Sequence, residues 1–373
     1  METIRFSAPC LFGIEGILGD ELRRMGADNV SPQNGRVDFE GDLSMLARAN
    51  IGSRYAERIQ IVMGRFRAVT FEELFQGVRA LPWERWIEKK AAFPVKGWSL
   101  DSKLFSVPDC QAIVKKAVVE HLKSVYGIEW FEESGATCQI QFSIHKDEVT
   151  VLLDTSGIGL HKRGYRAMAG GAPIKETLAA AIVDVMRARK APLVVDPCCG
   201  SGTLLIEAAL SAKGIAPGVR RRFAAMLWPT VDEHVWREER ARARSYERPD
   251  APFEALGSDI DDQMVALTLA NASKAGVDGC IRAERADLRR FRPEGEQGIV
   301  LCNPPYGERL MDVRQAEELY TAMGSVFANR PGWNYAVISP HEQFEQFFGR
   351  KADKRRKLYN GMIKCQLYMY FGK

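Results

Sequence analysis

From residue 161 onward, short apolar runs alternate with helical patterns of about 10–15 residues, and this alternation restricts the fold more than any other feature. Runs at 192–195, 253–256 and 298–302 read as strands, while 175–187, 203–212 and 262–275 carry apolar residues at helical spacing. Strands separated in this way pair in parallel through right-handed crossovers, so a doubly wound α/β sheet is expected. The final stretch, 357–371, divides into two strand-like pieces at Asn360-Gly361, a hairpin signal. The sheet should therefore end in an antiparallel pair.

The preceding 160 residues follow a different, α+β pattern. Residues 1–70 hold strand-like runs at 4–9, 36–39 and 58–63 around a helix at 14–24, which carries Ile14, Ile17, Leu18 and Leu22 on one face. Residues 71–160 place a helix at 110–126, with Ile113, Val114, Ala117, Val118, Leu122 and Val125 in one stripe and Gly127 as its stop. Strands at 137–145 and 148–154 follow, joined by a hairpin step at His145-Lys146-Asp147. Boundaries at 1–70, 71–160 and 161–373 divide the chain into three domains.

A composition of 46% apolar and 27% charged residues is that of a globular chain, and a net charge of +4 tolerates a polyanionic partner without demanding one. No apolar run approaches the ~20 residues that span a bilayer, and Glu15 and Asp20 interrupt any leader-like start. The eight cysteines include the adjacent Cys198 and Cys199 but no CxxC pair, and no histidine lies at ligand spacing. Neither a disulfide framework nor a metal site is expected, and the chain reads as reduced and cytoplasmic.

Chemistry concentrates at the ends of the predicted strands. In "VVDPCCGSGTLLIEAAL" a strand ends at Asp196, and Gly200 and Gly202 permit a tight turn before a helix near Thr203. Backbone N–H groups there suit an anionic group. Leu205 occupies the position where a dinucleotide fingerprint needs Gly or Ala, which disfavours nicotinamide and flavin cofactors, and no P-loop lysine follows. In "LGSDID", Asp259 ends the next strand and is placed to accept from ribose hydroxyls, with Asp261 as the cap of the following helix. In "RADLRRF", Asp287 is placed to accept from an adenine amine. In "VLCNPPYGERL" a buried strand runs into Asn303, Pro304, Pro305 and Tyr306.

This ordered set resembles the class I S-adenosylmethionine (SAM) methyltransferases, in the amino-methylating branch with an (N/D/S)-P-P-(Y/F/W) motif. "SGIGLHKRGYR", "APIKETLAAAI" and "CNPPYGERL" are similar to the bacterial 23S rRNA guanine-N2 methyltransferase family, and the similarity covers nearly the whole chain. The resemblance implies a Rossmann-like methyltransferase domain with an antiparallel C-terminal hairpin, preceded by a ferredoxin-like domain and an RNA-binding THUMP domain. It implies SAM as cofactor, S-adenosylhomocysteine as product, and a cofactor cradle of Thr177, Asp196, Pro197, Gly200, Ser201, Gly202, Thr203, Asp259, Ile260, Asp287, Leu288 and Asn303. Family members fused to a second methyltransferase domain contrast with this chain's end at Lys373, from which a single modification is expected.

In such a site Asn303 and Pro304 would accept the two N–H groups of a nucleobase amine, the prolines would hold the turn, and Tyr306 would stack the base. Lys162, Arg163, Tyr165 and Arg166 in "HKRGYR" are expected to meet RNA, as is Arg309, for which a local pair with Glu308 is an equal alternative. The basic run 350–357 leans the same way, whereas the mixed run 236–248 reads as a solvated charged face. The expected partner is 23S rRNA or a ribosome assembly intermediate, with no membrane. A tRNA guanine-N2 enzyme, a DNA adenine-N6 methylase and a non-catalytic RNA-binding factor remain alternatives.

Overall fold

The computed structural model describes residues 3–166, 174–306, 312–327 and 330–372. Two seven-stranded sheets organise it. The first has the order β2-β3-β1-β4-β7-β6-β5, built from β1 (Ile4–Pro9), β2 (Asp28–Gln33), β3 (Arg36–Gly41), β4 (Gln60–Arg67), β5 (Val95–Leu100), β6 (Ile140–His145) and β7 (Glu148–Asp154). The two small N-terminal modules thus share one sheet. Strand β4 pairs β1 through Phe6↔Ile61 and, on its other edge, β7 through seven residue pairs. Helices α1 (Glu15–Met25), α2 (Leu43–Gly52), α3 (Phe71–Arg79) and α4 (Val107–Tyr126) pack on this sheet. Gly127 ends α4 with φ +64, a left-handed conformation that favours glycine.

The second sheet has the order β10-β9-β8-β11-β12-β14-β13. Its strands are β8 (Leu193–Asp196), β9 (Glu254–Asp259), β10 (Ile281–Arg285), β11 (Gly298–Cys302), β12 (Trp333–Ser339), β13 (Lys354–Asn360) and β14 (Ile363–Phe371). Strands β8 to β12 run parallel, while β14 pairs antiparallel with both β12 and β13. Helices α5 (Glu176–Val185), α6 (Thr203–Ala212), α7 (Glu233–Ser245), α8 (Asp262–Ala275), α9 (Val313–Val326) and α10 (Phe344–Phe348) complete the domain. Side chains alternate across a strand, so Ile299 and Leu301 join one core and Val300 and Cys302 the other. A parallel sheet is covered on both faces in this way.

One of those cores is continuous from Phe6 and Leu46 in the first module through Phe142 to Ile206 and Met369. Polar contacts cross the same boundary. Gly218 donates its N–H to Ile51 (2.8 Å), and Trp228 donates Nε1–H to the Thr137 carbonyl (3.0 Å). The run 236–248 forms most of α7, and it is not wholly solvated. Trp236 is buried and stacks on Phe223, while buried Glu239 pairs with Arg48 of α2 at 2.6 Å. The other basic run enters β13, where Arg355 pairs with Glu345 and Arg356 donates to the Gly13 carbonyl at 2.8 Å.

Candidate active site

Parallel strands bring their carboxyl ends to one edge, and neighbours β10, β9, β8 and β11 deliver Asp287, Asp259, Asp196 and Asn303 there. The turn after β8 is held from three directions. Cys199 donates its N–H to Ser258 (2.9 Å), Thr268 of α8 donates to the Gly200 carbonyl (2.8 Å), and Asn271 donates to Ser201 (3.0 Å). Gly200 has φ +53 and Gly202 φ +76, and a Cβ on Gly202 would come within 2.8 Å of Thr268. Close helix–strand approach is met from the other side: opposite Leu205 stands Gly257, where a Cβ would lie 2.9 Å from the leucine. A large residue at 205 is therefore compatible with tight packing.

The carboxylates differ in role. Asp259 accepts the Gly200 N–H (3.0 Å) and the Asp261 N–H (3.1 Å), so it fastens the turn from the neighbouring strand. Asp261 caps α8 by accepting from Gln263 (2.8 Å), as expected. Asp196 is buried, and accepts from Cys198 at 3.1 Å. Burial, reinforced by the charge of Asp259, pushes its pKa up to about 8. Asp287 accepts from Arg289 (2.9 Å), and Leu288 beside it is buried. Ile260 is 63% exposed next to Asp259 and offers an apolar surface at the same edge.

After β11 the chain turns through Asn303, Pro304, Pro305 and Tyr306. The Asn303 Oδ1 atom is buried and has no hydrogen-bond partner among the described residues. Pro304 is buried as well. The Tyr306 ring is partly buried against the core, and its hydroxyl accepts from Asn360 Nδ2 at 2.8 Å. This second-sheet hairpin contact is absent from any local pattern around the tetrapeptide, and nothing in the sequence signalled it.

Several expected site residues lie elsewhere. Arg163 and Tyr165 were expected to meet RNA, but both are interior. Tyr165 donates to buried Glu207 (3.0 Å); Arg163 faces the same carboxylate at 3.5 Å and donates to the Arg54 and Leu160 carbonyls. Arg166 also turns inward, donating to Thr203 Oγ1 at 2.7 Å and lying 3.6 Å from Glu176. It therefore braces the first turn of α6. Of that motif's four expected RNA contacts, Lys162 alone is exposed. Buried charged side chains demand partners inside the protein, and Glu207 and Glu176 supply them. Thr177 is buried and donates to Glu57 of the first module (2.6 Å), so its hydroxyl is already engaged. Burial raises the Glu57 pKa, but His161, Thr177 and Lys175 outweigh it and bring it to about 2. Arg309 and Glu308 lie outside the described residues.

The residues present fit S-adenosylmethionine: an orphaned buried acceptor, a left-handed glycine turn at a helix start, and strand-end carboxylates with an apolar neighbour. Among the described residues no group of three or more His, Cys, Asp or Glu side chains is arranged to hold a metal, and no helix is long and apolar enough to cross a membrane.

Strand order, the antiparallel penultimate strand and the glycine turn after the first strand together define a class I SAM-dependent methyltransferase. The RMKL-like methyltransferase domain matches residues 163–369, the RlmL ferredoxin-like domain 5–60, and the THUMP domain 68–154; the chain belongs to this RMKL-like family, with SAM as its cofactor. It is 43% identical to a Bacillus subtilis protein named as a candidate RNA methyltransferase, YpsC, over 100% of this chain and 96% of that one. It is 34% identical to the ribosomal RNA large subunit methyltransferase K/L of Methylococcus capsulatus, covering 99% of this chain but only 51% of the relative. The chain thus spans about half the length of the K/L relatives. A Listeria monocytogenes structure described as a predicted N6-adenine-specific DNA methylase superposes with TM-score 0.93 at 45% identity, over 100% of this chain and 97% of that one. SMU.472, named as a candidate methyltransferase and solved with S-adenosylhomocysteine, superposes at 0.94 with 41% identity, over 100% and 99% of the two chains.

Proposed function

We propose that this protein methylates the exocyclic N2 amine of a guanine in 23S ribosomal RNA, acting in the cytoplasm on the RNA or an assembling particle. The observation that carries the reading is the buried Asn303 Oδ1, without a hydrogen-bond partner among the described residues, in the Pro-Pro turn beside the cofactor cradle. A buried acceptor without a donor among the described residues suits a donor on the substrate. The names of the K/L relatives and of YpsC support RNA as the polymer.

SAM supplies an already activated sulfonium methyl. The chain's task is to aim a poor nucleophile, since the amine's lone pair is delocalised into the base. Asn303 Oδ1 and the Pro304 carbonyl accept its two N–H groups and favour a pyramidal nitrogen, an interaction stronger in the transition state than in the ground state. Fixed φ at Pro304 and Pro305 holds both acceptors in place. The Tyr306 face, oriented through Asn360, stacks the extruded base. Once the amine nitrogen has taken the methyl and carries a positive charge, it releases one of its protons to water, so no strongly basic side chain is required.

The test is methyl transfer from labelled SAM to total RNA and DNA of a strain lacking the gene. Label in a guanine of 23S rRNA is expected. Label confined to tRNA, or to adenine in DNA as the name of the Listeria structure suggests, would replace this reading by that one.

A further inference from the structure

Behind the junction of the small modules with the catalytic domain lies a cleft of about 400 Å³, lined by the linker at 158–165, the loop at 215–222 and the C-terminal ends of α6 and α8. Six of its lining side chains are cationic, Lys162, Arg163, Arg220, Arg221, Arg222 and Lys274, and among the described residues no Asp or Glu lines it. Arg163 is offset by Glu207 at 3.5 Å. The other five have no carboxylate within ion-pair distance among the described residues, and Lys162, Arg220, Arg222 and Lys274 are exposed. Lys162 and Arg163 are among the residues expected to meet RNA, whereas the run "RRR" at 220–222 is not.

Two features separate this cluster from an ordinary solvated face. First, it is built rigidly. Arg221 donates to the carbonyls of Ile158, Gly159 and Leu160; its own carbonyl accepts from Arg240; and Gly218 is bonded to α2. Second, like charges are held together against their repulsion. Burial and then the neighbouring Arg163 depress Arg221 to about 10. Helix C-termini attract cations, which accounts for Lys274 at the end of α8 and for Arg220, whose guanidinium lies over its capping Gly276. That attraction does not account for Lys162, Arg221 and Arg222.

We infer that this cleft is a second anchorage for the substrate, taking the phosphodiester backbone of RNA about 10 Å along α6 from the cofactor turn. The inference rests on the RNA reading above and extends the footprint beyond the base-binding pocket. The cations sit on and beside the linker that joins the first sheet to the catalytic domain, where Arg221 is bonded to linker carbonyls. The contact is to backbone charge, so it contributes affinity and orientation but no base preference.

The test uses the full-length chain and in vitro transcribed 23S rRNA as probe, comparing wild type with an R220A/R222A/K274A triple variant across salt concentrations. Loss of up to three phosphate contacts should flatten the log–log salt slope by about 2–3 and weaken binding ten- to a hundredfold at ~0.1 M salt. SAM binding should be unchanged, since these side chains are exposed and lie away from the cradle, and the melting temperature should fall only slightly, from the loss of the two cations at the end of α8. The R220K/R222K variant should keep the wild-type slope. A wild type that binds RNA steeply beside a triple variant with the same slope would overturn the cleft and leave the RNA reading standing. A wild type with no salt-dependent RNA binding would overturn both.

Discussion

At the scale of single residues, Asn303 separates stability from function. Its Oδ1 is buried without a partner among the described residues, so Asn303→Ala removes a desolvated acceptor rather than a satisfied one. Melting temperature should stay the same or rise slightly, SAM affinity should hold, and methyl transfer should fall roughly 10²–10³-fold, as when one transition-state hydrogen bond is deleted elsewhere. Calorimetry and single-turnover kinetics on one preparation check this; a variant that loses stability and keeps activity would contradict it. Asp196 makes a second prediction. Its folded pKa of about 8 lies above the ordinary carboxylate value, so the native state holds a proton that the unfolded chain releases. Stability should therefore fall as pH rises from about 4 to about 8 and level off beyond. Asp196→Asn should remove that slope in thermal melts; an unchanged slope would place the titration elsewhere. The carboxylate positions were legible because each ends a strand before a turn. The inward course of Arg163 and Tyr165 was not, because a polar, basic hexapeptide carries no periodicity that says which side chain is buried.

At the scale of elements, the hairpin of β13 and β14 reaches across to the tetrapeptide. Asn360 ends β13 and donates to the Tyr306 hydroxyl, while Tyr359 meets Phe12 of the first module edge-on at 5.7 Å. The hairpin thus sets the tyrosine from one side and touches the N-terminal module from the other. Removing the donor with Asn360→Ala should lower kcat/KM for RNA about tenfold with SAM affinity intact. Tyr306→Phe removes the same bond, so in a double-mutant cycle the two losses should not add; additive losses would separate the residues. The parallel strands and the hairpin were readable because apolar runs and Asn-Gly turns are local signals. Helix α7 was not, because a charge-rich segment with only Trp236 and Glu239 buried shows no apolar stripe. Nor was the shared first sheet, since the β4–β7 pairing joins residues over eighty positions apart and no local pattern encodes it.

At the scale of the molecule, the buried contacts weld the three modules more firmly than their separate patterns suggest. Arg163 bonds to carbonyls at Arg54 and Leu160 and faces Glu207, which is fully buried inside the catalytic domain. Glu57 reaches Thr177, Arg48 reaches Glu239, and one apolar core runs beneath all of them. Surfaces joined by buried ion pairs and a continuous core do not come apart without stranding charge in an apolar setting. The chain should therefore unfold in a single calorimetric transition whose van't Hoff and calorimetric enthalpies agree. Arg163→Ala, which leaves Glu207 without its nearest cation, should cost about 3–5 kcal/mol and lower the midpoint by on the order of 10 °C. Two resolved transitions in the wild type, or an Arg163→Ala midpoint equal to it, would mean that the modules fold independently. A chain welded as one unit holds its first sheet and its Asn-Pro-Pro-Tyr turn in fixed relation, so under the proposed function that fixed distance selects where along an RNA a base can enter the site.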